Sequence, residues 1–193
     1  ADLEQACRDL SQKRKKAAKE LSVAVQAELA GLGLKQAVFQ CQVSPLPEPG
    51  LTGADHVLFE WAPNPGEGIQ PLKAIASGGE MSRFILALKV ALAEAGTAAT
   101  MIFDEIDRGV GGAVASAIGE RLARLAERSQ VLVVTHSPQV AARASHHYRI
   151  EKSHGDDGTR TTVRRLSDEE RREEIARMLS GASITEEARA QAS

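Results

Sequence analysis

Met101-Ile102-Phe103-Asp104-Glu105 is an apolar run that stops on two adjacent carboxylates. Short apolar runs bounded by polar residues read as buried strands, so a strand is predicted over Thr100 to Asp104. A second such run, Val131-Leu132-Val133-Val134-Thr135, stops on His136. Between them, Ala113 to Arg128 carries Ile118, Leu122 and Leu125 at helical spacing. Strand, helix and strand in that order predict an α/β layer with a mostly parallel core sheet flanked by helices. Upstream, Ser77-Gly78-Gly79-Glu80 opens a predicted helix from Gly78 to Ala95, with Met81, Phe84, Ile85, Leu88 and Leu92 on one stripe. Ser77 stands 27 residues before Asp104, and His136 stands 32 after it.

Each of these segments has a chemical reading and a plainer one. Ser77 at a helix N-cap with Glu80 three residues on is a capping box. Successive glycines also let backbone approach a ligand, and a helix start offers free N–H groups and about half a positive charge, which suits a γ-phosphate. The two readings are compatible. Asp104 and Glu105 fall at the carboxyl end of a strand, where open α/β sheets bind ligands. There Asp104 can hold Mg²⁺, directly or through water, while Glu105 orients or deprotonates an attacking water. The alternative is a polar strand end with surface acids. His136 is expected beside Asp104 at the same sheet edge, where a neutral imidazole can hydrogen-bond a γ-phosphate. The alternative is a structural histidine. In Asp107-Arg108-Gly109-Val110-Gly111-Gly112 the glycines predict an unusual backbone path, a close contact across an interface, or a flexible turn.

In combination the three segments predict parts of a nucleotide-hydrolysis site. One part is missing. The chain has no G-x-x-x-x-G-K-[ST] loop, whose amides and lysine grip the β- and γ-phosphates. Gly31-Leu32-Gly33-Leu34-Lys35-Gln36 lacks both the spacing and the hydroxyl that would hold Mg²⁺. The expectation is the hydrolytic half of a site without the half that grips the nucleotide.

The remaining chain fits a globular piece of something longer. Its 193 residues suffice for one core with an appendage, and a net charge of −2 argues against a global field for nucleic acid. Cys7 and Cys41 show no metal-ligand spacing and read as reduced thiols. No apolar run approaches the length needed to span a bilayer. The chain opens in a charged helix without an initiator Met, which predicts a segment of a longer protein. Residues 2 to 31 read as one helix; Leu3, Cys7, Leu10, Arg14, Ala17, Leu21 and Ala24 form an a/d series spoiled at Arg14. Coiled coil and docked surface helix are both open. Ala37 to Val43 and His56 to Ala62 read as strands of a hairpin, joined by a long Pro/Gly-rich loop from Ser44 to Gly53. A second hairpin is expected around Asp156-Asp157-Gly158, followed by polar helices over Glu169 to Leu179 and Thr185 to Gln191. His146, His147 and His154 read as surface residues.

These residues resemble a known family. Ala76-Ser77-Gly78-Gly79-Glu80 resembles the ABC signature loop, Met101 to Glu105 the Walker B strand, and Val131 to His136 the switch-histidine strand. Asn64-Pro65-Gly66-Glu67, Pro71-Leu72 and the run on to Met81-Ser82-Arg83 resemble the C-terminal lobe of SMC-like ATPase heads. Asp104-Glu105-Ile106-Asp107 with Gly109 to Gly112, and Glu174 to Gly181, resemble the bacterial RecN family of DNA-repair ATPases.

The resemblance implies the C-terminal lobe of an ABC/SMC-type P-loop ATPase head, with residues 1–34 the stub of a returning coiled-coil arm and 35–193 the lobe. It implies ATP and Mg²⁺. Ser77, Gly78, Gly79 and Glu80 would meet the γ-phosphate held by a second head, while Asp104 (metal), Glu105 and His136 (catalytic) would serve the nucleotide on their own head. The implied partners are an N-terminal lobe carrying the Walker A loop, a second head in a homodimer, and DNA, in the cytoplasm at the bacterial nucleoid and without a membrane. Lys13 to Lys16, and Arg160, Arg164, Arg165, Arg171 and Arg172, are candidate DNA contacts. Gly111 stands where the loop common in transporters has Asp, a departure that resembles the RecN pattern, and no role is implied for Asp107. Two rivals are the nucleotide-binding lobe of a membrane transporter, which needs no arm, and a non-catalytic dimerisation or clamp module, which needs neither Glu105 nor His136.

Overall fold

A computed structural model of the chain describes residues 2–72, 78–92, 99–155 and 158–180. Ser77 and the predicted helix at Thr185 to Gln191 lie outside the described residues. Helix α1 (Asp2–Gly31) opens with Asp2 and Glu4 in its first turn, the sign that suits a helix N-terminus. It leads into an antiparallel sheet of β1 (Val38–Gly50), β2 (Gly53–Ala62) and β3 (Gln70–Pro71) in that order. Then come α2 (Gly79–Ala91), β4 (Thr100–Asp104), α3 (Gly112–Ala126), β5 (Gln130–Val134) and the single turn α4 (Pro138–Ala141). A hairpin of β6 (Tyr148–Gly155) and β7 (Gly158–Arg165) and helix α5 (Asp168–Ser180) follow.

The first hairpin departs from expectation. Its strands run on through the proline-rich stretch, pairing Ser44 with His56, Pro45 with Asp55 and Gly50 with Gly53, so only Leu51 and Thr52 form the turn. Pro45, Pro47 and Pro49 recur at the two-residue strand period, so amides are missing on one side only. β1 is an edge strand, where that loss is tolerated, and the ladder shifts register between Pro45 and Gly50.

Helix α1 docks along this hairpin. Ala18, Val25 and Leu29 are buried and Cys7, Ser11, Arg14 and Leu21 half-buried, whereas Leu3, Leu10, Ala17 and Ala24 of the predicted a/d series face solvent. The docked-helix reading describes these contacts. Arg14, the residue that spoiled the series, closes on the hairpin: Nη1 reaches Asp55 Oδ2 at 3.1 Å and Nη2 donates to the Thr52 carbonyl at 2.7 Å. Ser11 donates to Asp55 Oδ1 at 2.7 Å, and this bond, with Arg14, holds the Asp55 carboxyl below its ordinary pKa. Further along, Ser22 and Gln26 accept from the Cys41 and Phe39 amides at the β1 edge.

One core joins the layers. Phe39, Phe59, Trp61 and Phe84 form an aromatic cluster, with Trp61 and Phe84 centroids 4.5 Å apart, and Leu29, Leu32, Leu86, Phe103, Ile106, Ile118 and Leu125 continue it. Ile118, Leu122 and Leu125 of α3 point inward as predicted. The stripe predicted on α2 is rotated: Arg83, Phe84, Leu86, Ala87 and Leu88 are buried, while Met81 and Ile85 are only half-covered. A helix apolar on most sides can satisfy two packings, and this chain supplies one of them.

The mostly parallel sheet is present only in part. Among the described residues only β4 and β5 pair in parallel, from Thr100 opposite Gln130 to Asp104 opposite Val134. Strands joined by tight turns must run antiparallel, and the α3 crossover brings β5 back parallel to β4. One face of this pair, Met101, Phe103, Val131 and Val133, packs on the core. The other is bare: Ile102 is 70%, Leu132 47% and Val134 53% exposed.

Candidate active site

The parallel register places Asp104 beside Val134, so Asp104, Glu105 and His136 share the carboxyl edge of the pair, as expected. The Asp104 carboxylate is exposed and has no hydrogen-bond or ion-pair partner among the described residues. Glu105 has φ +52°, the one described non-glycine residue in the left-handed region. Such a conformation costs about 1–3 kcal/mol for a side-chain-bearing residue and recurs at functional sites. Its carboxylate pairs with Arg108 at 3.0 Å, both side chains being largely exposed. An exposed pair of this kind contributes about 0–1 kcal/mol and is readily exchanged for another partner.

The glycine loop follows an unusual path, with φ +73° at Gly109 and +54° at Gly112. An added Cβ at Gly109, Gly111 or Gly112 would meet nothing within 4 Å among the described residues. Backbone conformation explains Gly109 and Gly112, whereas Gly111 is extended, a conformation open to any residue.

Asp107, to which sequence reading assigned no role, is fully buried. Its Oδ2 accepts from the Thr135 hydroxyl and from the Ser137 amide, the latter at 3.0 Å, and lies 3.8 Å from His136 Nδ1. The His136 side chain is 76% exposed. The sequence signals for Asp107 were its place two residues beyond Glu105 and its part in the Asp104 to Asp107 motif.

The start of α2 differs in detail from the capping box. Gly78 is the N-cap, in extended conformation, and brings no side-chain oxygen; Glu80 lies in the first turn. Gly79 approaches the loop after Glu105, because an added Cβ there would lie 3.0 Å from the Arg108 carbonyl oxygen. Arg83, one turn on, is buried and donates to that carbonyl at 3.4 Å. Burial pulls its pKa below the ordinary value, with Glu80 acting in the opposite direction. Met81, Ser82, Ile85, Ile102, Phe103 and Asp104 line a shallow depression of about 170 Å³ on the bare side of the sheet. A cavity of about 400 Å³ between the β6–β7 hairpin and α5 contains none of the predicted site residues.

His146 is exposed and His147 half-buried, its pKa lowered chiefly by burial. Among the described residues no three His, Cys, Asp or Glu side chains form a metal-holding group. No helix among them is long and apolar enough to cross a membrane.

Comparison with known proteins bears on the same residues. Residues 12–142 match the family model described as "AAA domain, putative AbiEii toxin, Type IV TA system". The chain is 46% identical over 178 residues to the DNA repair protein RecN of Rickettsia felis, a match covering 92% of this chain and 33% of the relative. It is 46% identical over 168 residues to RecN of Deinococcus radiodurans, covering 87% and 29%. The fold is that of the Smc head domain with a coiled coil and joint from Pyrococcus yayanosii, at TM-score 0.56 and 22% identity over 83% of this chain and 29% of that one.

The chain belongs to the AAA-domain family, and RecN proteins resemble it over most of its length.

The chain spans about a third of the length of the curated relatives it matches. A chain from a study of ATP-driven dimerisation and DNA-stimulated activation of SMC ATPases matches in fold at TM-score 0.52 and 20% identity, covering 90% of this chain and 99% of that one.

Proposed function

We propose that this chain is the C-terminal half of the ATPase head of a RecN-like double-strand-break repair protein, contributing the signature loop, Walker B strand and switch histidine. The observation that carries the reading is the bare apolar face of Ile102, Leu132 and Val134 beside an unpartnered Asp104. Parallel strands are normally covered on both faces, so this face calls for a further layer. The proposed occupant is the N-terminal lobe carrying the Walker A loop that this chain lacks. Residues 1–34 are read as the arm stub and 35–193 as the lobe.

The donor set fits a hard cation. A free carboxylate oxygen at a strand end, completed by substrate phosphates and water, is the kind of site Mg²⁺ takes. Asp104 would hold the ion, which offsets phosphate charge when bound. Glu105 orients the attacking water, and its loose pairing with Arg108 leaves it available for that task. His136 projects from the same edge toward the γ-phosphate. Gly78, Gly79 and Glu80, with Ser77, meet the γ-phosphate of a second head in a homodimer. In-line phosphoryl transfer then depends mostly on positioning and charge stabilisation.

DNA contact is assigned to Lys13 and Lys15 of α1 rather than to Arg164, Arg165 or Arg171. Lys13 and Lys15 are exposed, whereas Arg164 is paired with Glu170, Arg165 bonds His146 and Arg171 bonds the Ala142 carbonyl. The whole protein is placed in the cytoplasm at the nucleoid.

The test is ATP turnover by this chain alone and mixed with the polypeptide that precedes it in the full-length protein. Silence alone and turnover on mixing is the expected result. Turnover by the lone chain would mean that a phosphate-gripping element is present here, and would overturn the reading.

A further inference from the structure

We propose that Asp107 is a positioning residue that latches the His136 loop to the loop carrying Glu105. The inference rests on the hydrolytic reading of Glu105 and His136 above.

Asp107 lies two residues after Glu105, and its carboxylate binds both neighbours of His136 in the chain. Thr135 donates its hydroxyl proton to Oδ2, and the Ser137 amide donates to the same oxygen at 3.0 Å. The Ser137 amide also reaches Thr135 Oγ at 2.9 Å, which closes a small ring of bonds around the base of His136. With the residues on either side held, the His136 backbone cannot swing, although its imidazole is exposed. Residue 108 extends the latch in the other direction. The Arg108 guanidinium pairs loosely with Glu105, and the Arg108 carbonyl accepts from Arg83 of α2. Thus Asp107 and Arg108 tie the Glu105 loop to the His136 loop and to the signature helix.

A purely structural anchor explains this less well. The Asp107 side chain is fully buried, yet Oδ1 has no hydrogen-bond partner among the described residues. An unsatisfied buried oxygen is costly, and a neutral or apolar residue would avoid it if stability alone were at stake. What only a carboxylate provides is a negative charge, which strengthens both bonds accepted by Oδ2 and lies 3.8 Å from His136 Nδ1.

The experiment is a double-mutant cycle in the complete head, this chain together with the preceding lobe. Asp107→Asn keeps the shape and one acceptor oxygen, so it serves where Asp107→Ala fails to fold; Trp61 fluorescence reports folding. In the native background Asp107→Asn is expected to lower kcat about 10- to 100-fold, as displacing a reacting group by an ångström does, with KM for ATP and ATP-driven dimerisation nearly unchanged. In a His136→Ala background the same substitution is expected to change kcat less than about twofold, because the residue it positions is gone. An equal loss in both backgrounds would make Asp107 a structural anchor and overturn the proposal while leaving the site reading intact. Full turnover by His136→Ala itself would overturn both.

Discussion

Gly79 and Arg108 sit so close that a Cβ on Gly79 would lie 3.0 Å from the Arg108 carbonyl oxygen and 3.2 Å from Arg83 Nη1. The start of α2 is thus packed against the loop that follows Glu105. Gly78, its neighbour, would bring a Cβ within 4 Å of nothing among the described residues and has an extended backbone that any residue can adopt. The two glycines of one motif are therefore constrained by different things. Gly79→Ala is expected to destabilise the chain by about 1–2 kcal/mol, overpacking outweighing the gain in helix propensity. Gly78→Ala is expected to leave stability within about 0.5 kcal/mol while weakening ATP-driven head association. Urea unfolding followed by Trp61, the only tryptophan, measures both. Equal unfolding midpoints for the two variants would contradict the packing argument.

The opposite faces of β5 are expected to behave oppositely. Leu132→Asp adds charge to the bare face and should leave the isolated chain folded, yet abolish turnover on mixing with the preceding lobe. Val133→Asp puts a charge against the core and should cost several kcal/mol in the chain alone. Circular dichroism of each variant, then the mixing assay, separates the two effects. Undiminished activity of Leu132→Asp would mean that the bare face is not where the lobe docks.

Glu105→Gln removes a charge paired only with an exposed arginine, so stability should stay within about 0.5 kcal/mol. Turnover by the complete head should be abolished while ATP-driven dimerisation persists. Unchanged turnover would remove Glu105 from the catalytic role.

Glu174 supplies a pH dependence. It is buried, and its hydrogen bonds from Arg177, opposed by burial and helped by Arg149 and His147, hold its pKa below the ordinary 4.5. A depressed carboxylate pKa stabilises the fold above the unfolded value, and this contribution is lost as pH falls through the folded one. Glu174→Gln should cost about 1–2 kcal/mol at pH 7, the low end for charged hydrogen bonds because Arg177 is half-exposed. The difference from the native chain should shrink as pH drops below 4.5. A gap that stays constant down to pH 2 would assign the effect to packing.

Local sequence determined much of this protein. Periodicity is a property of neighbouring residues, so α1, α3, α5 and the strands β4 and β5 were legible from it, as was the placing of Asp104, Glu105 and His136 at one sheet edge. The absence of a phosphate-gripping loop was legible too, since it is a matter of spelling. Tertiary structure decided the rest, wherever the outcome depends on what residues distant in sequence bring together. Pro45, Pro47 and Pro49 read as a loop until the β1 edge made their missing amides harmless. Arg14 read as a flaw in a heptad until Asp55 and Thr52 closed on it from the hairpin. The apolar stripe of α2 looked single because spacing cannot tell a face turned to the chain's own core from one turned outward. Asp107 read as a loop acid, and only the return of β5 beside β4, some 30 residues later, buries its carboxylate under Thr135 and Ser137. Burial and partnership are properties of converging segments, and no window on the sequence contains both sides of such a contact.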